Sequence, residues 1–343
     1  MKFTIAIPVR NGEKYLKQAI ESAVSQIRMP DEILIVDDAS TDSTAEIARA
    51  DEWGRLVRYV YNEKPTGYAD AFNRVFEYAS SDYVTLLSYD DLLDSRFLLY
   101  VERAFNAYKE ARHCFVGYHY ITDTGAVSSS SPWPHTTEPV LYSGRDYSHH
   151  YLEGVRDNRH INRCLGFVTE RKLFIEQCRF RKEAGLITDD DFFVRLGAFT
   201  NVVGISEPLS SVRLHSASET SRLDSLVEKL ATDYLFQVRW YSTNVSHIDE
   251  YHVRIIYSLA VRFISELLFN GLKIKDTVQV EKASRYKMEM ELLLPGYFDA
   301  SLTGWRRVLW HLVEKDNSLH ANMFVHMISF LVSSKNTFKK VLK

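Results

Sequence analysis

Short apolar runs alternate with amphipathic stretches through the first 121 residues. Lys2–Val9 reads as a strand ending near Pro8, and Gly12–Gln26 places Tyr15, Leu16, Ile20, Ala23 and Val24 at helical spacing. Glu32–Val36 predicts a second strand, and Ser40 or Thr41 can cap a helix running to Ala50. Leu56–Tyr61 and Tyr83–Leu87 predict further strands, with helices over Gly67–Ala79 and, after Ser95, over Arg96–Glu110. Phe115–Ile121 adds a strand. Strands separated by helices of this length imply right-handed crossovers and an α/β fold with a doubly wound, mostly parallel sheet.

Residues 122–160 break the pattern. Gly125, Ser128–Ser131, Pro132, Pro134 and Pro139 read as a long turn-rich connection. Order is expected again from Leu165, followed by helices from Glu170 and over Phe192–Phe199, a strand Asn201–Ile205, and a polar loop through His215. Beyond Arg222 strand signals vanish, and 222–245, 248–271, 276–293, 302–315 and 319–333 read as amphipathic helices. The expected division is 1–221, with halves near 1–121 and 122–221, and an all-helical 222–343.

Two apolar runs end abruptly on acids: Ile33-Leu34-Ile35-Val36 on Asp37-Asp38, and Val84-Thr85-Leu86-Leu87 shortly before Asp90-Asp91. Carboxyl ends of parallel strands are where open α/β sheets bind ligands, so the two acidic tips are expected to share one crevice. Either tip alone also reads as a helix cap. Hard cations such as Mg²⁺ or Mn²⁺ prefer oxygen ligands and keep substrate phosphates in their shell, which suits Asp90-Asp91. Asp189-Asp190-Asp191 opens a predicted helix, where carboxylates are favoured by the dipole. Three adjacent acids also repel, which raises the pKa of at least one toward the range of a general base.

The chain of 343 residues has a net charge of −3, against a general nucleic-acid binder. Its three cysteines have no close pair, as expected of free thiols in a reducing cytoplasm. The first strand breaks too early for a signal peptide, and no uncharged apolar run reaches the roughly 18 residues that span a bilayer. No Gly-rich dinucleotide fingerprint or phosphate loop follows the first strand.

The segments Ile7-Pro8-Val9-Arg10-Asn11, Ile35-Val36-Asp37-Asp38-Ala39-Ser40-Thr41-Asp42 and Asn62…Gly67…Ala71-Phe72-Asn73 resemble family-two glycosyltransferases of the GT-A fold. The resemblance continues through Ser88-Tyr89-Asp90-Asp91, Thr188-Asp189-Asp190-Asp191…Arg195 and Val212-Arg213-Leu214-His215, covering about residues 3–221. It implies a Rossmann-like GT-A domain that moves a sugar, with inversion, from a UDP- or dTDP-sugar to a hydroxyl of a glycan or lipid-linked acceptor. It places Pro8, Arg10, Asp38 and Asn62 around the nucleotide and Asp90 at the donor ribose or phosphate. Asp91 becomes the principal ligand of Mn²⁺ or Mg²⁺, assisted by His215. Asp189 becomes the catalytic base, and Asp190 and Arg195 join the substrate-binding set. Two positions depart from the family: Thr188 stands where Glu is common, and Phe72 where Arg often precedes Asn73. A non-catalytic sugar-nucleotide binder and a nucleotidyltransferase are the competing classes.

In the last 43 residues seven Lys/Arg face two Asp/Glu. Trp305, Arg306, Arg307, Trp310, Phe324, Phe330, Lys339 and Lys340 mix aromatic and cationic groups there. This suits peripheral contact with an anionic membrane surface, a helical bundle completing the core, or a homo-oligomer contact.

Overall fold

The computed structural model describes residues 1–215, 226–243, 249–315, 321, 323–325 and 327–329. The chain divides into two compact units, Met1–Arg222 and Leu223–Lys343.

The first unit is built on one ten-stranded sheet. Its strands are β1 (Phe3–Val9), β2 (Glu32–Asp38), β3 (Val57–Asn62), β4 (Tyr83–Leu86), β5 (Leu92–Leu93), β6 (Ala111–Ile121), β7 (Val127–Ser130), β8 (Val140–Tyr142), β9 (Phe167–Glu170) and β10 (Asn201–Arg213). The helices are α1 (Leu16–Val24), α2 (Thr44–Ala48), α3 (Tyr68–Tyr78), α4 (Phe97–Ala107), α5 (Gly144–Arg156), α6 (Arg171–Leu173) and α7 (Thr188–Leu196). The strand order is β3-β2-β1-β4-β9-β6-β10-β5, with β7 on β6 and β8 on β10. β3, β2, β1 and β4 are mutually parallel, as doubly wound crossovers require. Beyond β4 the sheet is mixed: β9 runs antiparallel to both neighbours, while β6 and β10 are parallel to each other. Fully buried apolar residues of β1 and β2 pack on Leu16, Ala19, Ile20 and Ala23 of α1 and on Phe97, Val101 and Phe105 of α4.

The sequence misplaces several boundaries. The 122–160 connection is not a loop: it adds β7 and β8 to the sheet and then forms the thirteen-residue α5. Ser143 caps α5 by accepting from Asp146 N, and the buried face uses Tyr147, Ser148, Tyr151 and Leu152, a composition too polar to read as amphipathic. The expected loop to His215 is the second half of β10, which passes Pro208 through bulges. There the β10 backbone approaches β6 so closely that a Cβ on Gly117 would fall 2.4 Å from Ser206 O. α4 starts at Phe97 rather than Arg96, with Asp94 rather than Ser95 accepting from Arg96 N.

His113, on β6, is enclosed by Tyr147, Phe167, Phe192 and Phe193 and bonds through Nδ1 to Thr169 Oγ1 at 2.7 Å. Burial lowers its pKa to about 3. The unfolded chain takes up this proton below a pH of about 6.5 and the native state does not, so stability present at neutral pH is lost as pH falls. Between pH 6.5 and 5 this one group is expected to cost about 2 kcal/mol. Urea unfolding of the wild type and His113→Gln at pH 7.5 and 5 checks this: the difference between them should move in favour of the variant by that amount, and a constant difference contradicts it.

The second unit is helical: α8 (Val227–Thr243), α9 (Glu250–Ile274), α10 (Thr277–Leu293), α11 (Tyr297–Ser301) and α12 (Gly304–Glu314). The other four pack around α9. α9 is long and apolar enough to cross a membrane by length and composition, and 61% of its most apolar 18-residue stretch is buried. Trp310, read from the sequence as interfacial, is buried and donates from Nε1 to Ser265 Oγ at 2.9 Å. Arg306 pairs with Glu266. These two side chains complete a bundle, whereas Phe330, Lys339 and Lys340 lie outside the described residues.

Candidate active site

The carboxyl ends of β1, β2 and β3 present Arg10, Asp37, Asp38 and Asn62. Asp37 is fully buried and accepts from Tyr59 Oη at 2.6 Å and Ser40 N at 2.8 Å, so it fixes the turn. Asp38 accepts from Thr66 N and Oγ1 and from Asn62 Nδ2, ordering the segment that leads into α3. Ala39 follows at φ 64°, a conformation that costs a non-glycine residue about 1 kcal/mol. Asn11 stabilises this turn from β1, accepting from Thr41 N while its own N–H donates to Ser40 Oγ. Pro8 is buried within β1, and Arg10 is exposed at its tip.

Asp90 and Asp91 form the turn between β4 and β5. Asp91 is 6% exposed and accepts from Arg213 N at 2.8 Å; burial, then the charge of Asp90, raises its pKa well above the carboxylate range. His215 Nε2 lies 3.0 Å from Asp90 Oδ2. The histidine ring packs on Tyr15, whose hydroxyl donates to Asp123. β10 thus carries His215 to the acidic turn, as the sequence order suggested.

Arg213 holds the turn together. Its side chain donates to the carbonyls of Asp90 (2.7 Å), Asp123 (2.8 Å) and Thr122 (3.3 Å) and to Gln18 Oε1 (2.8 Å), under the Tyr15 ring. A sequence reading assigns an arginine to solvent. This one is 2% exposed.

The first turn of α7 separates its three acids. Asp191 points inward, fully buried, and binds Arg181 and Arg195 together. Arg195 also donates to Arg179 O at 2.6 Å, so its guanidinium is committed to this ion pair. Asp190 accepts from Tyr151 Oη at 2.7 Å. Asp189 accepts from Asp190 N, and among the described residues no cation is hydrogen-bonded to it. Burial, then the charge of Asp190, raises its pKa to about 7.

Two residues the sequence did not single out connect the acids. Tyr68 opens α3, 48% exposed, with its ring 4.2 Å from that of Phe72. The charges of Asp91 and Asp189 act on both its hydroxyl and the Cys164 thiol. Burial and these charges raise the pKa of each, so both stay protonated at neutral pH. The carboxylates of Asp91 and Asp189 thus both act on this one pair.

A parallel β-α-β half ending in acidic tips, joined to a mixed half that supplies a second acid and a histidine, defines a GT-A domain. Residues 4–162, just under half of the chain, match the profile described as Glycosyl transferase family 2. An uncharacterized glycosyltransferase of Rickettsia typhi is 38% identical over 89 residues, 26% of this chain and 27% of that protein. The glycosyltransferase GlyG of Streptococcus pneumoniae is 31% identical over 96 residues, 28% of this chain and 32% of that protein. The matched stretch is thus under a third of either relative's length. Staphylococcus aureus TarS 1–349 superposes with a TM-score of 0.64 at 15% identity, over 96% of this chain and 91% of that one. Its complex with UDP-GlcNAc gives 0.65 at 14% identity, over 96% and 92%.

Proposed function

We propose that the chain is an inverting glycosyltransferase that moves a sugar from a UDP- or dTDP-sugar to a hydroxyl of a glycan or lipid-linked acceptor in the cytoplasm. The observation that carries this reading is the acidic turn Asp90-Asp91, with His215 Nε2 3.0 Å from Asp90 Oδ2, together with a second acid, Asp189, whose pKa is raised to about 7. The TarS complex with UDP-GlcNAc supports a nucleotide-sugar donor on this fold.

Asp38 and Asn62 hold the nucleotide base beside Pro8 and Arg10, and Asp90 meets the ribose or phosphate. The donor set of Asp91, Asp90 and His215 fits a hard divalent cation, because two adjacent carboxylates in a buried turn repel until a positive charge joins them. Mn²⁺ or Mg²⁺ held there supplies charge neutralisation for the departing diphosphate. Asp189 takes the proton from the acceptor hydroxyl, which attacks the anomeric carbon from the face opposite the nucleotide. The direct displacement needs no protein nucleophile. Asp190 and Tyr151 orient the base, and Arg195 acts on it through Asp191 and the helix.

Thermal-shift titration with UDP-, dTDP- and GDP-sugars, with and without Mn²⁺, tests the reading. At least one UDP- or dTDP-sugar should raise the melting temperature in a Mn²⁺-dependent way, and Asp38→Ala should abolish the shift. The absence of any nucleotide-dependent shift would sink it. Nucleotide release on addition of acceptor separates transfer from binding alone.

A further inference from the structure

We infer that the acceptor carries an anionic oxygen group, a phosphate or a carboxylate, near the hydroxyl that is glycosylated, and that Arg163 recognises it. This rests on the reading of Asp189 as the base.

Arg163 lies in the connection from α5 to β9, next to Cys164 in sequence. Its positive charge is among those felt by the Asp189 carboxylate. The guanidinium lies 5.6 Å from the Tyr118 ring centroid and 5.4 Å from that of Tyr120, and Nη2 donates to Tyr120 Oη. Its Nε is buried with no acceptor, and among the described residues it makes no ion pair. The other arginines near the acids are committed: Arg213 to carbonyls, Arg181 and Arg195 to Asp191.

The connection is built to hold this group still. His160 O accepts from Tyr118 Oη at 3.1 Å, and Tyr147 Oη donates to Asn162 Oδ1 at 3.2 Å. Four residues earlier Arg159 repeats the device, exposed and 5.0 Å from the Trp133 ring centroid. Both guanidinium groups are backed by aromatic rings, and among the described residues neither makes an ion pair. An arginine fork pre-organised in this way matches the planar, bidentate geometry of carboxylate and phosphate oxygens. A neutral sugar would leave the buried donor and the charge uncompensated.

The test is calorimetric titration of the full chain with glucose 6-phosphate, glucuronate and methyl glucoside. At least one anion should bind about 10-fold or more tightly than the neutral glycoside, as expected of charge-assisted hydrogen bonds. Preference for glucose 6-phosphate alone assigns phosphate, and for glucuronate alone carboxylate. Arg163→Gln should bring the compounds within about twofold of one another, Arg163→Lys should retain part of the preference, and Arg159→Gln should weaken it less. Equal binding of all three by the wild type, or a preference that survives Arg163→Gln, overturns the proposal. So does a loss in Arg163→Gln confined to nucleotide-sugar affinity, which would assign the residue to the donor. If no nucleotide sugar binds the wild type, the glycosyltransferase reading fails, while the anion preference is still read directly.

Discussion

Asp189→Asn is expected to lower the rate of sugar transfer by about 10²- to 10⁴-fold, the usual contribution of a positioned base, and to leave donor affinity within about twofold. The amide is nearly isosteric and can keep the bond from Asp190 N. It cannot take a proton. Because the carboxyl is raised to about 7 by burial and by Asp190, the wild-type rate should climb with pH through that value as the base ionises. Asp190→Asn removes the neighbouring negative charge, so its profile should shift to lower pH. Single-turnover kinetics across pH 5–9 read both effects. A variant at position 189 that keeps more than about a tenth of the wild-type rate excludes Asp189 as the base.

Arg213→Met has the largest expected effect on stability, a loss of about 3–5 kcal/mol. The methionine fills much of the volume under Tyr15 but leaves three carbonyls and Gln18 Oε1 without their donor. It also removes the positive charge nearest the buried Asp91. Those costs are structural, and they fall on the turn that carries the metal-type acids. Urea unfolding at neutral pH measures the loss. A change below about 1 kcal/mol would mean that water replaces the guanidinium at little cost.

The parallel half of the sheet was legible because buried strands such as Ile33–Val36 leave no ambiguity of face. The acids at their tips were legible for the same reason, since charge follows directly on apolar sequence. The second half was harder. β9 and β10 are ordered by neighbours distant in sequence, and antiparallel insertion of a four-residue strand leaves no local mark. α5 buries two tyrosines and a serine beside a single leucine, so its periodicity is hidden. Within the site, the sequence supplied the carboxylates but not what distinguishes them. Asp189, Asp190 and Asp191 are equivalent as letters, and only helix geometry sends one to two arginines, one to a tyrosine and leaves the third with a backbone N–H. Arg213 and Arg163 were passed over because a charged side chain normally reads as solvent-facing. Tyr68 and Cys164, 96 residues apart in sequence, act on each other electrostatically.

The strand order sets where this chain can be divided. The family profile ends at residue 162, before β9 and β10. Both are interior strands: β9 is the link between β4 and β6, and β10 joins β6 to β5. A fragment cut at the end of the recognisable homology would leave β6 detached from the parallel half and β5 without a partner. The boundary of ancestry and the boundary of autonomous folding are therefore different places in this chain. Dissection, domain exchange or expression of a minimal catalytic piece has to respect the latter.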